Sequence, residues 1–273
     1  MLARLAACVC AAALLTAAPA AKVDTAGLRA QQTVRALAVL GPRVAGSPTE
    51  RRAARVVTER FAKLGLTPIV QNVPLPRGGA SRNLVFRSGG RPLRAIVLAH
   101  LDGVSAGPAA NDNGSGVGAL LEVARELGET KGVLFAALGA EERVMTGSSL
   151  HLGSARLLKS LAPAERRSVR LALSLDMVGY GPELNVRGLE RRPNHSAQRA
   201  LAAARRLGIR ATYLRDRGQS DHEELTRGGV PAAWIEWRWD PCWHTACDRT
   251  GRVEPAKLAA AIRLTVNAVR AAT

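Results

Sequence analysis

Short apolar runs alternate with longer stretches of helical periodicity along almost the whole of this chain, and few folds accommodate that pattern. Ala26 to Leu40 carries Leu28, Val34, Leu37 and Leu40 at helical spacing, and the segment from Gly41 to Gly46 ends it. Ser47, Pro48 and Glu50 then read as a helix cap, a first-turn proline and a capping-box glutamate for a helix that runs to Gly65. Strands are expected at Thr67 to Val73, Asn83 to Phe86 and Leu93 to Ala99. A Gly-rich loop follows, then a helix from Ser115 to Leu127. Further strands at Gly132 to Leu138, Val169 to Leu175 and Ala232 to Trp237 are separated by helices at Ser148 to Leu161 and Ser196 to Leu207. A helix from Glu254 to Ala271 closes the chain. Apolar strands between amphipathic helices imply a largely parallel or mixed sheet covered on both faces. A chain of 273 residues can form one large α/β domain or two small ones. No repeat, low-complexity tract or linker interrupts this one, so a single domain is the simplest expectation.

Sheets of this kind bind ligands outside the carboxyl ends of their strands. Potential metal ligands gather there. His100 in AHLD ends a strand, Asp112 in AANDNGSG precedes a helix, Glu142 in GAEER follows a strand, and Asp176 in LSLDMVG ends another. A fifth, His244, lies in CWHTACD, and Glu141 stands beside Glu142. Each has an ordinary reading alone: Asp176 as a turn residue, Asp112 as a helix cap, Glu142 as a first-turn acid. Together they are two imidazoles and three carboxylates, enough for two divalent cations if one carboxylate bridges. Such a pair activates a water and polarises a carbonyl. The set points to amide hydrolysis at a two-zinc centre, with Glu141 available as base.

The chain's ends and its charge narrow the setting. Arg4 followed by the apolar run Leu5 to Ala18, with Ala18-Pro19-Ala20 as a small-x-small cleavage site, reads as a secretory signal peptide over residues 1–20. The catalytic domain is then residues 21–273, secreted to the extracellular medium and free of the membrane after cleavage. Net charge is +17, which can signal a polyanion partner. Here only five of the basic residues are lysines and the arginines are scattered, with no basic block and no stacking aromatics, so no nucleic-acid partner is expected. Cys8 and Cys10 leave with the signal peptide. Cys242 and Cys247 remain, and an oxidising compartment favours a disulfide that fixes the backbone on both sides of His244. Zinc ligation by the two thiolates is the alternative.

These motifs resemble the zinc aminopeptidase family M28, especially its small secreted bacterial members. The resemblance runs from about Ala26 to the C-terminus. It includes Gly41-Pro42-Arg43-Val44-Ala45-Gly46-Ser47-Pro48, the NDNGSG loop, the paired glutamates followed by Thr146-Gly147-Ser148, LDMVG, Ser220-Asp221-His222 and CWHTACD. It implies a three-layer α/β/α sandwich around a mixed, largely parallel sheet. It also implies two zinc ions per chain, with Asp112 bridging, His100 and Asp176 on one ion and Glu142 and His244 on the other. Glu141 matches the general base. Asp102 matches a carboxylate that accepts the other imidazole N–H of His100. A group near Trp243 would help bind substrate, and the substrates would be peptide or protein N-termini, cut by a monomer.

The chain departs from the family pattern at Leu101 and Trp243, where tyrosine is common, and at Val144-Met145, where Gly-Leu is usual. Of the remaining histidines, His151 reads as a helix-surface residue, His195 as lying near a helix start, and His222 as a packing or supporting residue near the site. Two other functions fit the same scaffold. A glutaminyl cyclase uses one zinc and shares some ligand positions. An inactive binding domain usually loses ligands or the base, and this chain keeps all six residues.

Overall fold

The computed structural model describes residues 24–273, so the signal peptide expected at 1–20 lies outside it, as do Cys8 and Cys10. In chain order the elements are α1 (Thr25–Ala38), α2 (Pro48–Ala62), β1 (Ile69–Pro74), β2 (Ala80–Arg87), β3 (Ala95–His100), α3 (Gly116–Leu127), β4 (Val133–Leu138), α4 (Arg143–Thr146), α5 (Leu152–Ser160), α6 (Pro163–Ser168), β5 (Leu171–Leu175), β6 (Glu183–Gly188), α7 (His195–Arg206), β7 (Ala211–Arg215), α8 (His222–Arg227), β8 (Ala233–Arg238) and α9 (Pro255–Arg270). No helix among the described residues is long and apolar enough to cross a membrane.

The eight strands form one sheet in the order β1-β2-β4-β3-β5-β8-β6-β7. The centre is parallel, through β4–β3, β3–β5 and β5–β8. Antiparallel pairs β1–β2 and β2–β4 extend one side, and β8–β6 the other, with β6–β7 parallel at the edge. Every residue of β3, β4 and β5 is buried. Because side chains alternate across a strand, the two faces feed separate cores. Ala95, Val97 and Ala99 of β3 and Val133, Phe135 and Ala137 of β4 join the larger core, with residues from α1, α2, α3, α7 and α9. Ile96, Leu98, Leu134, Ala136 and Leu138 join the smaller one, with Leu157 of α5 and Leu225 of α8. The result is the α/β/α sandwich expected.

Local signals set several boundaries. Ser47 caps α2, accepting a hydrogen bond from Glu50 N at 3.1 Å. Glu50 answers, but its carboxylate reaches Gly46 N at 2.6 Å rather than the cap residue's own amide. Five helices or strands escaped the pattern: β6, β7, α4, α6 and α8. The helix expected from Ser148 to Leu161 is a further difference. The chain makes one turn, α4, stops at Gly147 with φ +71°, and begins α5 only at Leu152. His151 is the cap residue of α5, and it is buried, not on a helix surface.

Candidate metal centre

The parallel strands end on one side of the sheet and leave His100 and three of the sequence-selected acids there. His100 is the last residue of β3, Glu141 and Glu142 follow β4, and Asp176 follows β5. Asp112 lies in a tight turn before α3 with extended backbone angles. His244 comes from the loop after β8, bridged by the disulfide Cys242–Cys247 with its Cα atoms 5.3 Å apart. Among the described residues only four that are not glycine have φ in the left-handed region: Ala109, Ala140, Met177 and His244. Each lies at or within three residues of a site acid or histidine, where backbone strain tends to collect.

The geometry divides the set in two. Asp112 Oδ1 is 3.2 Å from His100 Nε2, which is also 3.4 Å from Asp176 Oδ1. Asp112 Oδ2 is 3.2 Å from His244 Nε2, which is 3.0 Å from Glu142 Oε2. One carboxylate therefore faces both groups, one oxygen each. All of these residues but His244 are buried. Ligand atoms of His100, Asp112 and Glu142 lie within 4.8 Å of one another, as do those of His100, Glu141 and Asp176.

Crowding shifts the proton affinities. Burial and the neighbouring Asp112 carboxylate push Glu142 up to about 8. Burial opposes ionisation of Asp112 too, but its bonds to His100 and His244 outweigh it and hold that carboxyl well below the usual range. Among the described residues Glu142 Oε1 is buried without a hydrogen-bond partner, and Asp176 Oδ1 has only the 3.4 Å approach of His100 Nε2. Unpaired buried carboxylate oxygens are costly unless a cation meets them. Imidazole nitrogens and carboxylate oxygens at this spacing are the donor set zinc takes.

Asp102 differs from its expected task. His100 Nδ1 faces the Asp102 carbonyl oxygen at 3.2 Å, and the Asp102 carboxylate only at 3.8 Å. That carboxylate instead accepts the backbone N–H groups of Glu141 and Glu142, each at 3.1 Å. It fixes the two acids by their main chain. Trp243 is about half exposed, lines the cavity over the site and stacks on His244 with ring centroids 4.2 Å apart. That cavity has a volume of about 410 Å³, and its lining also includes Met177, Arg187, Trp234 and Glu236. His195 starts α7 as expected. His222 is buried, with Nε2 3.0 Å from Asp216 Oδ2, outside the ligand groups.

Residues not singled out from the sequence hold the frame. Asp248, the last residue of CWHTACD, accepts the N–H groups of Asn111 and Asp112 at 2.7 and 3.0 Å. Asn113 Nδ2 donates to Leu175 O, and Val178 N and Gly179 N donate to Ser115 Oγ and Asn111 Oδ1. The loop that carries Asp112 is thus stitched to the turn that carries Asp176. Its last glycine is required for space, because a Cβ on Gly116 would lie 2.0 Å from Leu175 O. Arg43 is fully buried and donates to the carbonyl oxygens of Leu101, Pro108 and Ala109.

Comparison with known proteins agrees with this frame. Aminopeptidase YwaD of Bacillus subtilis is 32% identical over 186 residues, which are 63% of this chain and 40% of that protein. The chain therefore spans well under half of that relative's length. The structure of BSAP, a zinc aminopeptidase from Bacillus subtilis, superposes with a TM-score of 0.81 at 21% identity, covering 90% of this chain and 95% of that one. A glutaminyl cyclase from Bacteroides thetaiotaomicron superposes with a TM-score of 0.76 at 21% identity, covering 89% and 97%. At such identities the two superpositions speak to the fold alone. The model of Peptidase family M28 matches residues 83–269, most of the sheet and every residue of the site, and the chain belongs to that family.

Proposed function

We propose that this chain is an exported aminopeptidase that holds two zinc ions and removes the N-terminal residue of peptides. The observation that carries the reading is the split of Asp112: its two oxygens face two ligand groups, His100 with Asp176 and His244 with Glu142. A glutaminyl cyclase needs only one such group, so the division favours the peptidase. Family membership and the aminopeptidase relative support hydrolysis of peptides. The basis for export is the sequence of residues 1–20 and the bridged cysteines beside His244.

When bound, zinc would acidify a water and polarise the scissile carbonyl. The protein's own groups do the rest. Glu141 lines the cavity beside both ligand groups, with its N–H held by Asp102. Its carboxylate takes the proton of the attacking water and hands it to the leaving amine. The acids around the second group suit a free α-ammonium, and Trp243 covers the substrate's path.

The test compares two adjacent acids in the purified chain without its leader. Glu141→Gln should keep two zinc ions per chain by elemental analysis and a near-normal KM, and lose about two to four orders of magnitude in kcat. Glu142→Gln should lose affinity for one zinc. An N-acetylated aminoacyl substrate should be refused where the free amine is cut. One zinc per active chain, or turnover of the acetylated substrate at the same rate, would replace this reading by the cyclase or an endopeptidase.

A further inference from the structure

Glu141 is fixed by its main chain, through Asp102 on one side and the left-handed Ala140 before it. Its side chain has three rotatable bonds and needs a partner of its own to stay aimed. That partner is His151. The ring Nδ1 lies 2.9 Å from Glu141 Oε1 and 3.1 Å from the Glu141 carbonyl oxygen. Both are acceptors, so Nδ1 must carry the hydrogen, and one N–H ties the carboxylate to its own backbone. No other side chain among the described residues lies within hydrogen-bond distance of this carboxylate.

The ring is itself held. His151 is 2% exposed. Its backbone N donates to Glu224 Oε1 at 3.2 Å, and its carbonyl accepts from Ser154 Oγ at 3.1 Å. The next amide, Leu152 N, donates to Ala140 O at 3.0 Å, which clamps the start of α5 against the residue before Glu141. Nε2 faces Glu223 Oε2 at 3.4 Å, and Glu223 is anchored by Arg143 at 3.2 Å and Arg227 at 2.8 Å. A buried imidazole that served only to fill space would not need its hydrogen aimed at the one side chain that must move a proton.

We propose that His151 is the positioning residue for the base: its Nδ1–H holds Glu141 Oε1 and leaves Oε2 to address the reacting atoms. The proposal rests on the reading of Glu141 as base. Loss of orientation at a reacting group costs on the order of 10- to 100-fold in rate. Asparagine can place an amide N–H close to the position of Nδ1. Glutamine preserves size and polarity but reaches the position of Nε2, toward Glu223.

The experiment uses the zinc-loaded chain and the variants His151→Asn, His151→Gln, His151→Leu, Glu141→Gln and the double variant His151→Gln/Glu141→Gln. Zinc per chain and melting temperature are recorded beside kcat and KM on a free-amine aminoacyl substrate. We expect His151→Gln and His151→Leu to lose about 10- to 100-fold in kcat with KM and zinc content unchanged, and His151→Asn to recover most of it. Adding His151→Gln to Glu141→Gln should cost nothing more, since the group it aims is already gone. In the metal-free wild type, nitrogen-15 spectra of the imidazole should show hydrogen on Nδ1 of His151. Equal rates for the Asn and Gln variants, an additive double variant, loss that tracks zinc content, or a bare Nδ1 would each overturn the proposal. If His151→Leu does not fold, the Asn–Gln comparison decides alone. Failure of the base reading is separate: Glu141→Gln would then turn over normally whatever stands at 151.

Discussion

Asp102 makes two hydrogen bonds that no other group on its strand end could replace, one to each of the adjacent glutamate amides. It is fully buried. Asp102→Ala would strand two buried N–H groups, at about 1–3 kcal/mol each, and free the loop that aims Glu141 and Glu142. We expect lower zinc affinity and lower kcat together, measured by metal titration and steady-state kinetics. Retention of full zinc affinity would show that Asp102 does not hold the loop. Arg43 makes the parallel case for stability, since Arg43→Met would leave the buried carbonyls of Leu101 and Ala109 and the part-buried carbonyl of Pro108 without their donor. At this scale the sequence was readable where chemistry is carried by residue type. His100, Asp112, Glu141, Glu142, Asp176 and His244 all meet because each sits at a strand end or a tight turn. It was unreadable where the task depends on direction. Asp102 stands where a partner for His100 was expected, yet its carboxylate turns to the neighbouring loop. His151 reads as one more polar residue in a helical stretch, and only the break at Gly147 turns it inward.

Elements with strong period were legible, and those without were not. The fully buried β3, β4 and β5 read as apolar runs. Strand β6 mixes Glu183, Asn185 and Arg187 with Leu184 and Val186, and β7 is a half-exposed edge, so neither gives a clean signal. Helices α6 and α8 are six residues each, too short for periodicity to register. The start of α2 carries a pH prediction. Glu50 is fully buried, accepting from Gly46 N and Ser81 Oγ, and burial followed by the Asp102 charge pushes it up to about 7 from an ordinary 4.5. A raised carboxyl stabilises the fold while it stays protonated, so its contribution is complete below about 4.5 and is lost as pH rises through 7. Glu50→Gln keeps an acceptor and a donor in place without the charge. Relative to that variant, the wild type should lose roughly 2 kcal/mol between pH 5 and pH 8 by urea unfolding. A pH-independent difference would mean that Glu50 ionises freely. The loop after β8 carries another prediction. The disulfide closes a span of only five residues around a histidine with φ +58°, so its effect is local. Replacing Cys242 and Cys247 by serine should weaken the zinc held through His244 by about 10-fold or more while lowering the melting temperature little. A large loss of stability with unchanged zinc affinity would assign the bridge to the fold instead.

Across the whole molecule, the site is where separate parts of the sandwich meet. His100 comes from the central β3, Glu142 from the end of β4, Asp176 from the end of β5, and His244 from beyond β8, while Asp112 lies in the turn before α3, a helix of the larger core. These strands are neighbours in the sheet but distant in sequence, and carboxylates and imidazoles from all of them, buried except for His244, converge within a few ångströms. Each carboxylate raises the cost of ionising the next, as Glu142 shows. A divalent cation relieves that cost only in the folded arrangement, because the unfolded chain scatters the ligands. Binding to the native state alone stabilises by about 2.7 kcal/mol per site at free zinc one hundred times Kd. For a chain of this size each kilocalorie moves the midpoint by about 2–4 °C. Adding zinc to the chelator-treated chain should therefore raise Tm by roughly 10–20 °C, with the rise saturating at two equivalents and activity returning with the second. Glu142→Gln should flatten the second step and leave the first, since Asp176 and His100 belong to the other group. Saturation at one equivalent in the wild type would assign Asp112 to a single ion, and the division of its two oxygens would then be a feature of packing rather than of catalysis.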